Sequence, residues 1–277
     1  MIGVAGERRW RRWALFGLLS AFTLLMLVPV LWGFLTSIKT PVDAFAMPPK
    51  LVFTPTFEFH YRLWFKEGFG KYLFDSAVIS LAVVGISVPI GTMAAYALSR
   101  VRTRATRGIL VGLLVMRMLP NMLLAIPYFV MAKYLNLYDT YAAIILVLVA
   151  TNQPFTIWLM RSFFLEVPTE LDEAARIDGA NEWQIFLRVA LPVVRPGLVV
   201  TALFSLLLAY NEFLLALVLT GTNVKPLPVA IASYGAEDLS YWSISAAGAI
   251  GIMLPIVLFM TLTQRHMVRG LTSGAVK

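Results

Sequence analysis

The sequence predicts an all-α membrane protein with six transmembrane helices. Three observations carry the prediction. Hydrophobic residues make up 59% of the 277 positions, charged residues only 14%, and the apolar residues gather into six long runs. A soluble domain usually carries about 25% charged residues and needs them as a polar coat. With a mean hydropathy of +0.78, this chain must leave much of its surface to lipid.

Each element follows from length and punctuation. A helix needs about 20 apolar residues to cross the hydrocarbon core. The runs lie at about 13–36, 72–99, 108–132, 141–160, 197–219 and 244–263, so residues 1–277 read as one transmembrane domain without a soluble module or a short repeat. Pro29, Pro89, Pro120, Pro127, Pro154 and Pro255 fall inside five of them. Membrane helices tolerate such prolines where neighbouring helices or polar side chains satisfy the freed carbonyls. The first run is some 24 residues long, and the Ala44-Phe45-Ala46 stretch lies well past it. A signal peptide has an apolar region of about 7–15 residues with cleavage close behind, so the first run reads as an uncleaved span.

Lys and Arg set the orientation. With the N-terminus inside, the inside segments hold 15 of these residues, in clusters around Arg8–Arg12, Arg100–Arg107, Arg161–Arg195 and Arg265–Lys277. The outside segments hold 7: Lys39, Lys50, Arg62, Lys66, Lys71, Lys133 and Lys225. Both termini are expected in the cytoplasm. The outside loop at 37–71, with Pro41, Pro48, Pro49 and Pro55, is expected to be irregular.

Composition excludes several functions. The net charge of +8 does not indicate nucleic acid, because the basic residues sit at the ends of apolar runs and do not stripe one face. There is no cysteine, hence no disulfide and no thiol nucleophile. His60 and His266 lie far apart outside the runs and read as solvated side chains. No phosphate-cradling G-x-x-x-x-G-K-[ST] occurs; the nearest fragment, GFGK at 68–71, lacks the first glycine. H-E-x-x-H and G-x-S-x-G are also missing, which leaves no common metal or serine-nucleophile motif.

The inside loop at 161–196 differs from its surroundings. Thr169 with Asp172 resembles a capping box, Gly179 suits the left-handed residue that ends a first helix, and Asn181 can cap a second. The second helix carries Trp183, Ile185, Phe186, Val189 and Ala190 and is expected to stop at Leu191-Pro192. Ala174 and Ala175 allow another backbone close approach, with Glu173, Arg176 and Asp178 beside them. The residues alone support two readings about equally: a partner-docking surface, or a helix pair resting on headgroups. Asp172, Glu173 and Asp178 weigh against an anionic leaflet.

The segment EAARIDGANEWQIFLRVALP resembles the signature loop of ABC-importer permeases, EAA-x3-G-x9-I-x-LP. Glu173, Ala174, Ala175, Gly179, Leu191 and Pro192 match it, and Val189 stands where the pattern has Ile. The YNEF stretch at Tyr210–Phe213 and the tail GLTSGAVK at Gly270–Lys277 look like the carbohydrate, maltose-type branch, and like its smaller permease. The resemblance implies a type I ABC-importer permease fold and translocation of a sugar or sugar derivative, anionic ones included. It implies a coupling helix carrying Glu173 and Asp178 that docks on an ATPase homodimer. ATP and Mg would sit on that ATPase, with no cofactor on this chain. A second, homologous permease, an extracytoplasmic solute-binding protein and membrane lipid complete the implied partners, with no nucleic acid. The competing reading is a stand-alone secondary carrier for a small polar solute.

Polar residues at membrane depth default to functional hypotheses. On straight helices Arg117 would lie roughly 13 Å and Glu212 roughly 21 Å above the cytoplasmic ends. They read either as an ion pair holding the bundle together or as part of a substrate path. Asn121, Asn152, Gln153, Tyr210 and Asn211 are further path candidates, with interhelical hydrogen bonding as the alternative.

Overall fold

The computed structural model describes residues 3–234 and 240–273. In chain order the helices are α1 (Gly3–Ser37), α2 (Pro41–Ala44), α3 (Glu58–Phe65), α4 (Phe69–Arg100), α5 (Arg104–Met118), α6 (Asn121–Tyr134) and α7 (Tyr141–Leu165). They continue with α8 (Glu170–Ile177), α9 (Glu182–Ile185), a π-helical turn at Phe186–Ala190, α10 (Leu191–Val193), α11 (Arg195–Tyr210), α12 (Leu214–Leu219), α13 (Leu227–Tyr234) and α14 (Ser240–Ser273). No strand occurs among the described residues.

Among the described residues four stretches are long and apolar enough to cross a membrane: Trp10–Ser37, Phe69–Arg100, Tyr141–Leu165 and Trp242–Thr261. They correspond to the first, second, fourth and sixth predicted spans. The number rises to six if each of two bent pairs counts as one span. The third span is such a pair, bent by 93° between α5 and α6. Leu119 takes an extended conformation ahead of Pro120, as the residue before a proline tends to do. The other pair joins Glu182–Val193 to Arg195–Tyr210 at 81°. The predicted fifth span is also interrupted, at Asn211–Phe213 between α11 and α12.

The chain divides into two compact units, Met1–Phe69 with Ile231–Met253, and Gly70–Ala230 with Leu254–Lys277. In the first, the expected irregular loop contains two helices: Pro41 opens α2 under the Thr40 cap, and α3 buries Phe59 and Leu63. Lys39 is buried, its ammonium 4.8 Å from the Trp32 ring centroid and 4.9 Å from that of Phe53. His60 is not simply solvated: it is half-buried, lies 3.1 Å from the Ser37 hydroxyl, and burial lowers its pKa. The side chain of His266 lies outside the described residues.

Among its described residues the second unit shows two apolar cores. One, built on Val83, Ile144, Leu148, Leu215 and Leu219, sits at the end distant from the 161–196 loop. The other gathers Ala95, Met160, Phe164, Phe186, Ala190 and Val194 beneath that loop. Between them small polar residues let α4, α7 and α11 approach closely, through Ser87–Thr156 at 3.4 Å and Thr156–Ser205 at 3.2 Å. Asp75 is fully buried, bound by Lys71 Nζ and Tyr141 Oη at 2.7 Å each and by the Lys225 N–H at 2.9 Å. Asp139 accepts N–H bonds from Gly221, Thr222, Asn223 and Val224, clamping that loop.

Candidate functional site: a docking loop and an intramembrane cleft

The 161–196 loop is two helices meeting at a glycine. Gly179 has φ +84°, a region open to glycine at no cost. Asn181 caps α9 in a full capping box: its Oδ1 accepts from the Gln184 N–H at 2.9 Å, and Gln184 Oε1 accepts from the Asn181 N–H at 3.0 Å. The expected box at Thr169 does not form; Thr169 is already helical and makes no side-chain cap. Asp172 is withdrawn for a stronger use. Its Oδ2 takes Arg100 Nε at 2.6 Å and Tyr96 Oη at 3.1 Å, and its side chain is 6% exposed. Arg100 Nη1 then reaches the carbonyls of Phe164 and Val167 at 3.1 and 3.2 Å. One guanidinium thus ties the ends of α4 and α7 to α8.

The second helix does not stop at Leu191-Pro192. It loosens into the π turn, in which Leu191 N–H bonds Phe186 O, and runs through Pro192 to Val193 before the 81° corner. The signature residues therefore divide. Glu173, Ala174, Asp178 and Gly179 are exposed and Ala175 is half-buried. Leu191 packs into the core under the loop, while Pro192 faces out. Among the described residues Glu173 makes no ion pair, whereas Arg176 pairs with Glu182 at 2.7 Å, a bond that raises the arginine pKa. Ala97 of α4 and Val101, just past its end, with Glu173, Arg176, Glu182 and Trp183 line a cleft of about 610 Å³ beside this surface.

A second cleft, of about 360 Å³, lies where the third and fifth runs break. Arg117, Asn121, Thr151, Asn152 and Glu212 line it with Leu148, Leu208 and Ala209. Arg117 and Glu212 do not form the ion pair considered above, because both helices break before straight-helix geometry can align them. The guanidinium carbon of Arg117 stands 5.6 Å from the Phe155 ring centroid. Glu212 instead accepts from the Leu215 N–H at 3.0 Å, which caps α12, and from Asn121 Nδ2 at 3.3 Å.

The comparisons with known proteins bear on the whole chain. A family described as "binding-protein-dependent transport system inner membrane component" matches residues 87–273. The chain belongs to that family. This permease is 40% identical to the probable ABC transporter permease protein y4oR of Sinorhizobium fredii over 266 residues, 96% of this chain and 95% of the other. It is 37% identical over 275 residues to the trehalose transport system permease protein SugB of Mycobacterium tuberculosis, covering 98% and 99% of the two chains. Its fold matches a chain in the crystal structure of a bacterial ABC transporter involved in the import of the acidic polysaccharide alginate. There the TM-score is 0.75 at 23% identity, over 94% and 97% of the two chains. The type I permease fold expected from the signature is the fold of this permease.

Three path candidates lie elsewhere in the permease. Gln153 turns to α4 and donates to Ser87 at 3.3 Å. Asn211 donates back to Leu207 O at 2.8 Å on its own helix. Tyr210 is buried and lines an apolar pocket with Leu81 and Pro255. Thr151 is the polar lining residue that the sequence did not single out; it is three residues from Leu148 on the same face of α7, a periodicity that would have shown it. Of the tail Gly270–Lys277, residues 274–277 lie outside the described residues.

Proposed function

We propose that this chain is a permease subunit of an ATP-driven importer of a sugar or sugar derivative. In this reading α8 docks on a separate ATPase dimer that holds ATP and Mg, and a second, homologous permease completes the membrane assembly. An extracytoplasmic binding protein delivers the solute, and both termini lie in the cytoplasm of a cell whose inner membrane holds the complex. The observation that carries the proposal is an exposed helix bearing Glu173, fastened to two long helices by the buried Asp172–Arg100 pair. A helix resting on lipid has no need of such a fastening, while one that receives a push does. The trehalose system relative supports a carbohydrate substrate.

Glu173→Lys tests it. Affinity purification of the wild-type chain is expected to bring down the ATPase, and the variant is expected to lose it. ATP-independent solute uptake by the isolated chain would overturn the importer reading in favour of a secondary carrier.

A further inference from the structure

We propose that residues 8–13 of α1 form a binding site for anionic phospholipid of the cytoplasmic leaflet; the proposal rests on the reading above that the N-terminus lies in the cytoplasm. The segment reads Arg8-Arg9-Trp10-Arg11-Arg12-Trp13, and all of it is helical. Glu7 is the one acid before Asp43, so four arginines less one glutamate leave +3 over residues 7–13. At about 100° per residue the four arginines share an arc of about 160°, and the two tryptophans fall beside it. The helix thus carries a basic face and an aromatic one within two turns.

Length sets the depth of this segment. The stretch Trp10–Ser37 holds 28 residues. At about 1.5 Å each they span about 42 Å, which matches a bilayer of about 40–45 Å with its headgroups. With Ser37 at the outer surface, Trp10 and Trp13 lie among the inner headgroups and the arginines at the level of the phosphates. The most apolar part of the span buries no residue against the rest of the chain, so packing within the chain does not fix its height. Its cytoplasmic end is built to do so. Trp10 and Trp13 are 75% and 65% exposed, and Trp13 meets the Phe16 ring edge-on at 6.2 Å. Indole rings favour the headgroup layer, where the apolar body and the N–H are both accommodated. Arg11 and Arg12 are exposed and enter none of the ion pairs among the described residues. A guanidinium fork matches two phosphate oxygens at once. The surplus of positive charge repels the cation of a zwitterionic headgroup, which selects a lipid whose phosphate charge is not cancelled.

The test uses the assembled transporter in nanodiscs of phosphatidylcholine, into which a photoreactive phosphatidylglycerol is titrated. Mass spectrometry then reads labelling of the α1 peptide. Wild-type labelling is expected to saturate and to be competed by plain phosphatidylglycerol, not by added phosphatidylcholine. Equal competition by both lipids overturns the anionic class, and needs no variant. Each basic residue at an anionic surface is worth a factor of about five. Arg11→Gln with Arg12→Gln should therefore raise half-saturation about 25-fold, while Arg11→Lys with Arg12→Lys should stay within about threefold. Unchanged labelling in the Gln pair overturns the site. An equal loss from Arg102→Gln with Arg104→Gln would make the effect one of total charge and overturn it as well. Recovery on a tagged ATPase reports assembly. No wild-type labelling of α1, together with release of the second permease or the ATPase by the Gln pair, makes the segment a protein contact and overturns the lipid. Protection of an N-terminal tag from protease in right-side-out vesicles supports the cytoplasmic leaflet. Cleavage there overturns the orientation, whereas nanodiscs, open on both sides, decide lipid binding separately.

Discussion

Replacing Asp172 by Ala should loosen the docking loop without touching its exposed face. In the native chain the carboxylate is 6% exposed and its partner arginine 15%. Removing one member of a buried pair typically costs 3–5 kcal/mol, because the other charge is left uncompensated. Arg100 keeps two carbonyl acceptors, at 3.1 and 3.2 Å, so the low end applies, about 3 kcal/mol. That corresponds to a factor of about 150 in the opening equilibrium of α8. Hydrogen exchange in the purified assembly reads it directly: amides of Glu173–Ile177 should lose about two decades of protection while those of mid-α7 stay unchanged. Arg100→Met combined with Asp172→Ala should recover part of the loss, since it removes the orphaned charge. Unchanged exchange in Asp172→Ala would refute the claim that this pair fastens the loop.

Other perturbations follow from the same geometry. Gly179→Val forces a β-branched residue to φ +84° and should destabilise the loop by about 1–2 kcal/mol, seen as faster proteolysis between α8 and α9. Asn181→Ala loses the capping box and should cost about 1 kcal/mol in the same assay. At Gly197 a Cβ would lie 2.4 Å from ring atoms of Phe163, so Gly197→Ala should lower thermal stability by about 1–3 kcal/mol. Asp139 is partly desolvated, which alone would raise its pKa, yet four backbone N–H bonds outweigh this and hold it below the ordinary value of 3.8. Its clamp on residues 221–224 is therefore complete at neutral pH and is lost only as pH falls below about 4, through the depressed folded value. Hydrogen exchange of that loop should be flat from pH 5 to pH 8 after correction for the intrinsic rate, and Asp139→Asn should raise it about tenfold.

The sequence made the apolar runs legible because lipid imposes a simple length rule. It also revealed the turn at Gly179 and the cap at Asn181, since both are local: glycine for a left-handed residue, an amide at a helix start. Asp172 was misread for the complementary reason. Its partner Arg100 lies 72 positions upstream, and a local capping pattern offered a cheaper explanation. The same limit separates Arg117 from Glu212. Spacing along ideal helices made them a plausible pair, but Pro120 and the Asn211–Phe213 break redirect both chains. Pro120 was in view; how far the chain would turn there was not, because that depends on the packing of α6 against α12.

The corner at Val194 has a mechanical consequence. α11 is 16 residues long, about 24 Å. It begins at the corner and ends beside Leu208 and Ala209, which wall the intramembrane cleft. The segment on the other side of the corner is the one that carries α9 and the π turn. The two arms form a bell crank: turning the short arm by 10° would sweep the far end of the long one by about 4 Å. That displacement exceeds the length of a hydrogen bond, so a small tilt at the loop is enough to make or break a polar grip at the cleft.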